Sequence, residues 1–324
     1  MKYFIITYGC QMNKSDSERI ATLLEGKKYQ PVKNEKQADL IVINICSIRQ
    51  SAIDRVFNKV KRLDSLKNKK IIFTGCILEE DKKKFTRYGE IIKFTDLFKI
   101  KSKPKHPDGF ILIMEGCNNF CTYCVVPYTR GREYYKEKKE IISEAKKLIK
   151  NGFKKITLLG QNVNSYPNFP QLLDEIANLP GNFQLTFLTS HPKDFSDELI
   201  EVIAKNKKIM KYLNLPVQSG DNKVLKKMNR PYKIEQYKKL VKKIRNKVPA
   251  IKLSTDIIVG FPSETKKQFE NTIKLFKEIK FNNAFISKYS PRSGTSSFRM
   301  KDDVSWEEKK QREKVLRAIL KENV

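Results

Sequence analysis

Histidine is nearly missing from this chain: its 324 residues hold two, His106 and His191. With so little imidazole, no Ser-His-Asp set stands out and a hydrolase triad has no support. A phosphate-cradling glycine loop is missing as well, so an NTPase reading is unsupported. Long apolar runs are absent. None reaches the ~18 residues that a membrane span needs. The start, MKYFIITYGCQMN, lacks a signal-peptide layout, because its short apolar stretch leads into a polar loop. The expectation is a cytoplasmic protein with no membrane partner. Acidic residues are the scarce charge: 36 Asp and Glu stand against 66 Lys and Arg, a net charge of +30. That excess favours a polyanionic partner, with nucleic acid as the first candidate. Part of it is compositional, since segments such as KEKKEIISEAKKLIK read as solvated helix faces.

What the chain does have is six cysteines in two sets of three. Cys117, Cys121 and Cys124 form a C-x3-C-x2-C run in EGCNNFCTYC. Cys10, Cys46 and Cys76 are far apart, and each directly follows an apolar, β-branched segment: YFIITYGC, DLIVINIC and KKIIFTGC. In a reducing compartment cysteines are more often metal ligands or catalytic groups than disulfides. Three thiolates per site suggest an iron–sulfur cluster with one iron free of protein, where a small molecule can bind and react. Zinc is the alternative for the compact set. Structural zinc usually takes four protein ligands in C-x2-C-type pairs, and no fourth cysteine or well-placed histidine is nearby. Disulfides or scattered core thiols are the alternative for all six.

The length leaves room for two domains or one large barrel, and 40% hydrophobic residues suffice for a sizeable core. Strands are expected at 3–8, 39–45 and 70–74, with helical patterns at 15–26 and 48–66 and a further βα-like stretch to about Ile100. The cysteine spacings suit successive βαβ units. Parallel strands end on one edge of their sheet, so three thiols distant in sequence converge there. KIKSKPKHPDG is polar, basic and holds two prolines, and reads as a linker. Strands follow at 110–115, 155–161, 183–190, 211–218, 252–260 and 284–290, with helices at 137–150, 194–206, 221–247 and 264–280. Six βα repeats fit a partial TIM-like barrel, since a complete one normally needs ~250 residues. The predicted fold class is therefore α/β: an N-terminal parallel-sheet domain over 1–100, a linker over 101–109, a partial (β/α)6 barrel over 110–304 and an amphipathic helix over 305–324 that starts at an N-cap-like Ser305.

C-x3-C-x-aromatic-C, here with Tyr123, resembles the signature of the radical S-adenosylmethionine superfamily. MEGCNNFCTYCVVPYTRGRE resembles its methylthiotransferase family in particular. The likeness extends through YGCQMNKSDSERI, NICSIRQSAIDRVF, TGC, LLGQNVNSY, LTSHPKDFSDELIEVIA, LNLPVQSGDNKVLKKMNRPY, STDIIVGFPSET and YSPRSGT. LGQNVNSY with CTYCVVPYTRGRE is most similar to the branch that methylthiolates isopentenyl-adenosine beside the anticodon of transfer RNA. Sister branches act on threonylcarbamoyl-adenosine or on an aspartate of a ribosomal protein. A non-enzymatic iron–sulfur scaffold that binds RNA is the alternative from another class.

The resemblance implies a [4Fe-4S] cluster on Cys117, Cys121 and Cys124 that binds S-adenosylmethionine at its open iron and yields a 5′-deoxyadenosyl radical, which removes the hydrogen from C2 of the adenine. It implies a second [4Fe-4S] cluster on Cys10, Cys46 and Cys76 that carries the sulfur, with a second S-adenosylmethionine as methyl source. A flavodoxin- or ferredoxin-like electron donor, a sulfur donor and a monomeric state complete the expectation. Tyr123 is a candidate to line the adenine of the cofactor, with a packing aromatic as the bland alternative. Gln218 and Ser219 are candidates for its ribose or methionine atoms. Asp256 and Gly260 are expected to shape the cofactor slot, where glycine lets backbone approach a ligand; plain barrel architecture is the alternative. Gln161 and Asn162 suit hydrogen bonds to a base edge or the cofactor, unless they only form a turn. Arg130 and Arg132 are expected at phosphates or the cofactor carboxylate, with a solvated surface as the alternative. His191 is expected to be structural or substrate-positioning. One departure is that the sequence ends at Val324 without the small all-β TRAM module that most of the family carries.

Overall fold

β-Branched and aliphatic runs build the first sheet. A computed structural model describes residues 1–47, 50–64, 69–93, 97, 100 and 108–322. Its first elements are β1 (Lys2–Thr7), α1 (Gln11–Gly26), β2 (Gln30–Pro31), β3 (Leu40–Cys46), α2 (Gln50–Asp64), β4 (Lys70–Cys76), α3 (Glu79–Phe85) and β5 (Glu90–Ile91). The strands are all parallel, in the order β2-β1-β3-β4-β5. β3 is buried at every position, because a central parallel strand is covered on both faces. Its side chains alternate. Ile41, Ile43 and Ile45 share a core with Ile53, Val56 and Val60 of α2, whereas Leu40 and Val42 join Ile20, Ala21 and Leu24 of α1. The strand order reverses between β1 and β3. Sheets of this kind bind ligands at the carboxyl ends of the strands beside such a switch point.

The second half restarts the rhythm with β6 (Gly109–Leu112), β7 (Met114–Glu115), α4 (Val126–Thr129), β8 (Tyr134–Tyr135), α5 (Lys138–Lys150), β9 (Lys155–Leu159), α6 (Phe169–Ala177), β10 (Gln184–Phe187), α7 (Asp197–Lys205), β11 (Tyr212–Asn214), α8 (Asn222–Lys227), α9 (Ile234–Lys247), β12 (Lys252–Val259), α10 (Lys266–Ile279), β13 (Asn283–Lys288) and α11 (Trp306–Glu322). Parallel pairing runs β6-β9-β10 and β11-β12-β13. A parallel bridge from Leu185 to Ile209, just before β11, joins the two groups. Six strands thus form one curved sheet. Each sends a residue into a common core: Ile111, Leu158, Leu185, Leu213, Ile257 and Ile286. Among the described residues β13 does not pair back to β6, so the barrel stays partial.

Several boundaries differ from expectation. The helix expected over 221–247 is two, α8 and α9, because Pro231 has no N–H and Asn229 takes a left-handed φ of 55°. The strand expected over 110–115 ends at Leu112, and Met114–Glu115 turns away to pair antiparallel with Tyr134–Tyr135. Only Tyr212–Asn214 of 211–218 is strand. α1 begins at Gln11 rather than near 15, with Cys10 as its N-cap residue. α11, expected over 305–324, begins at Trp306, with 323–324 outside the described residues; it packs on the barrel through Leu316 and Ile319, and Ser305 Oγ accepts from the Glu308 N–H at 3.1 Å. Residues 101–107 of the expected linker, His106 among them, and residues 48–49 and 65–66 of the expected second helix lie outside the described residues. Among the described residues no helix is long and apolar enough to cross a membrane.

Candidate active site

The short β7–β8 pair closes the base of the compact cysteine loop, where the Cys117 N–H also bonds the Gly131 carbonyl. Cys117 and Cys121 are buried, Cys124 is half-buried, and all three thiols are free. The broken helix holds this loop from the barrel side. Asn229 Nδ2 donates to the carbonyls of Asn119 and Phe120 at 3.2 and 3.0 Å. Thr122 donates its N–H to the Met228 carbonyl and its hydroxyl to that of Lys227. These bonds hold Phe120 at φ 47°, an uncommon setting for a bulky residue. Two donors face sulfur: Asn119 Nδ2 lies 3.5 Å from Cys117 Sγ, and Arg230 Nη1 lies 3.6 Å from Cys121 Sγ. Burial and the neighbouring Cys121 push the Cys124 thiol up to about 12, and burial likewise raises Cys117.

Thiols pushed up in this way, Cys117 and Cys124, stay protonated near neutral pH on their own. A bound iron cluster reverses that logic, because its cationic charge deprotonates coordinating thiols. Donor type, burial and facing N–H groups therefore fit an iron–sulfur cluster. Among the described residues no three His, Cys, Asp or Glu side chains are arranged to hold a single metal ion. A cubane asks for a wider set, since each thiolate takes a different iron.

The dispersed thiols also come together. Cys46 and Cys76 are register partners on β3 and β4. A Cβ on Gly9, whose φ is 134°, would lie 2.7 Å from Cys46 Cβ, so the backbone beside Cys10 presses against Cys46. Asn13 and Asn44, both buried, brace this corner. Asn13 Nδ2 donates to Asn44 Oδ1 at 2.9 Å and to the Ile45 carbonyl at 3.0 Å, and Cys10 Sγ lies 3.5 Å from Asn13 Oδ1. Burial pushes the Cys76 thiol up, and Arg130, whose Nε lies 3.0 Å from Cys76 Sγ, opposes that push.

Other expected site residues divide. Arg130, expected at a phosphate or the cofactor carboxylate, is placed against protein groups. Its donors are taken by Cys76, Glu115 and Asp16, and its side chain is buried. Arg132 is exposed and lies 4.3 Å over the Phe120 ring. At Gly260, whose φ is 67°, the space a Cβ would fill belongs to the Lys309 stem of α11. Ser219 is fully buried, and its hydroxyl accepts from the Asp221 N–H within its own turn. Gln218 sits at φ 73° on the barrel rim and bonds the Asp256 carbonyl through its N–H, while Asp256 Oδ2 accepts from Asn214. Tyr123 packs beside Met228, Phe261 and Tyr289.

Gln161 and Asn162 follow β9 on the same rim. Gln161 Oε1 and Asn162 Oδ1 are buried without a protein partner, as befits acceptors awaiting a ligand. His191 adds a donor to them. Its Nδ1 accepts from the Lys193 N–H at 3.2 Å, which leaves the proton on Nε2, and that atom is buried and unpartnered. Burial, with Arg230 and Lys193 nearby, drives the imidazole down to about 2. The folded chain therefore stays unprotonated where the unfolded chain takes up a proton. Stability conferred by a neutral His191 is complete above pH 6.5 and falls below it by up to about 1.4 kcal/mol per pH unit. Urea unfolding of His191→Gln at about pH 7 and about pH 5 checks this. The variant loses less stability on acidification than the wild type, and an equally steep loss counts against the assignment.

Sequence reasoning did not select Arg230, Asn229, Asn13, Asn44 or Asp16. Asn44 carried a signal, as the polar interruption of the apolar run LIVINIC. Arg230 carried another, since Asn-Arg-Pro interrupts a helical pattern.

Residues 111–276 match the Radical SAM superfamily, and residues 2–95 match the uncharacterized protein family UPF0004. A tRNA-2-methylthio-N(6)-dimethylallyladenosine synthase of Carboxydothermus hydrogenoformans is 40% identical over 96% of this chain and 81% of its own length. One of Clostridium botulinum is 41% identical over 99% and 82%, and one of Thermotoga petrophila 37% over 99% and 82%. Among solved structures, the radical S-adenosylmethionine methyltransferase TsrM from Kitasatospora setae aligns with TM-score 0.64 over 88% of this chain and 72% of its own, at 14% identity. The cobalamin-dependent S-adenosylmethionine radical enzyme OxsB aligns with TM-score 0.61 over 99% and 56%, at 10% identity, a likeness of fold. Partial barrel and three-thiol loop together define an enzyme of the radical S-adenosylmethionine class. Within that superfamily, the chain belongs to the family of these tRNA-2-methylthio-N(6)-dimethylallyladenosine synthases.

Proposed function

We propose that the chain is a transfer-RNA methylthiotransferase that places a methylthio group at C2 of an N6-isopentenyl-adenosine beside the anticodon. Identity of 40% over 96% of the chain supports the substrate. The reaction class rests on one observation: Arg130, on the loop that follows the barrel thiols, touches Cys76 of the N-terminal sheet, which brings the two thiol-bearing elements to one seam. Residues 1–100 and 110–304 then act as one unit across that seam. Cys117, Cys121 and Cys124 would hold one [4Fe-4S] cluster, and Cys10, Cys46 and Cys76 a second. With S-adenosylmethionine bound, these groups supply one-electron chemistry at an adenine C–H and a sulfur for transfer.

The protein's own residues orient and shield. Asn119 and Arg230 direct N–H groups at the sulfurs of the barrel site. Gln161, Asn162 and His191 offer two acceptors and one donor on the rim for a base edge or the cofactor, alongside Tyr123, Gln218 and Asp256 at the cofactor side. Arg132, exposed above the Phe120 ring, suits RNA phosphate or an unpaired base. A flavodoxin- or ferredoxin-like donor would deliver electrons and a separate donor the sulfur, for a monomer working in the cytoplasm. Mass spectrometry of transfer-RNA nucleosides from cells with and without the gene tests the reading. Loss of 2-methylthio-adenosine in the deletion strain is expected, and an unchanged level sinks it.

A further inference from the structure

The arginine of VVPYTRG reaches beyond its own loop. Arg130 caps α4, and its guanidinium lies in the seam between barrel and N-terminal sheet with a side chain 7% exposed. Its nitrogens go three ways: Nε to Cys76 Sγ at 3.0 Å, Nη1 to Glu115 Oε1 of β7 at 2.9 Å, and Nη2 to Asp16 Oδ2 of α1 at 2.6 Å. A rigid planar fork suits three partners in three directions, which a lysine ammonium does not. The two carboxylates hold the fork from barrel and sheet at once, so Nε–H stays aimed at sulfur. A second fixed point lies along the same seam. Arg292, just after β13, donates to Asp81 of α3 at 2.5 Å and to Gln50 of α2. Of these two ties among the described residues, that of Arg130 ends on a thiol.

We propose that Arg130 is a positioning residue whose Nε–H···Sγ bond aims the Cys76 sulfur at the barrel and raises the reduction potential of the cluster held by the N-terminal triplet. This rests on the two-cluster reading above. Reduction adds negative charge to a cluster, and hydrogen bonds to its sulfurs favour the reduced form. A cationic donor in a water-poor seam strengthens that effect. The barrel triplet has its own donor in Arg230, at the longer distance of 3.6 Å, and serves as the internal reference.

The test is an EPR-monitored redox titration of the anaerobically reconstituted full chain as wild type, Arg130→Gln and Arg130→Lys, with iron counted in each. Arg130→Gln lowers the reduction equilibrium of the N-terminal cluster about tenfold, about 59 mV for one electron, and leaves the barrel cluster where it was. Arg130→Lys, which keeps the charge without the fixed direction, falls between. If Arg130→Gln fails to fold or load, Arg130→Lys carries the test, and a potential equal to wild type then overturns the proposal. An unshifted Arg130→Gln, or an equal shift at both clusters, overturns it while the two-cluster reading stands. A wild-type count of about 4 Fe instead of about 8 overturns both.

Discussion

Replacing Cys121 with alanine abolishes reductive cleavage of S-adenosylmethionine. Cys121 is the electrostatic centre of the barrel loop. It contributes to the upward push on both Cys117 and Cys124, and Arg230 faces its sulfur at 3.6 Å. Its loss leaves two thiols where a cluster needs three. Changes to outer-shell partners alone cost metal sites 10–100-fold, so losing a ligand costs more than about 100-fold. The fold survives, because Asn229 and Thr122 hold the loop backbone by bonds that do not involve sulfur. Iron falls from about 8 to about 4 per chain. The assay is chromatography of 5′-deoxyadenosine formed under dithionite. Cleavage retained at a rate close to wild type excludes the compact loop as the site of cleavage.

The opposite pattern is expected for Cys76→Ala. Cleavage of S-adenosylmethionine persists, while methylthio transfer to an isopentenyl-adenosine stem-loop is lost by more than about 100-fold. Cys76 lies opposite Cys46 in the β3–β4 register, so its removal breaks the dispersed set without touching the barrel thiols. Arg130 keeps Asp16 and Glu115, which preserves the seam. Iron again falls to about 4. Anaerobic turnover with both products quantified separates the two activities. Undiminished methylthio transfer by Cys76→Ala removes the dispersed thiols from the reaction.

Much of this arrangement was legible in the chain itself. The alternation of apolar runs with amphipathic patterns marked the βα units, because side-chain period is a local property of backbone geometry. The position of Cys10, Cys46 and Cys76 after such runs placed them on one sheet edge. Boundaries were less legible. Residues 221–247 read as one helix because the apolar period continues on either side of Pro231, although the chain breaks there and turns Arg230 inward. Met114 continues the apolar look of β6, yet the pairing of Met114 and Glu115 with Tyr135 and Tyr134 is a tertiary choice. The roles of polar residues were least legible. Arg130 and Arg132 share one short motif, yet one is buried against three partners and the other lies exposed over an aromatic ring. The Lys309 stem beside Gly260 comes from α11, 49 positions on, and no local pattern announced it.

The sequence by itself determined the donor chemistry and the class of scaffold: which residues are thiols, how three of them fit one loop, and which strands carry the rest. Those properties follow from spacing and periodicity, which are written locally. Only the tertiary structure decided which cation meets which sulfur. Arg130 and Cys76 are 54 positions apart, and Arg230 and Cys121 are 109 apart. Nothing in a local window distinguishes an arginine destined for solvent from one whose burial is offset by carboxylates and sulfur brought in by the fold.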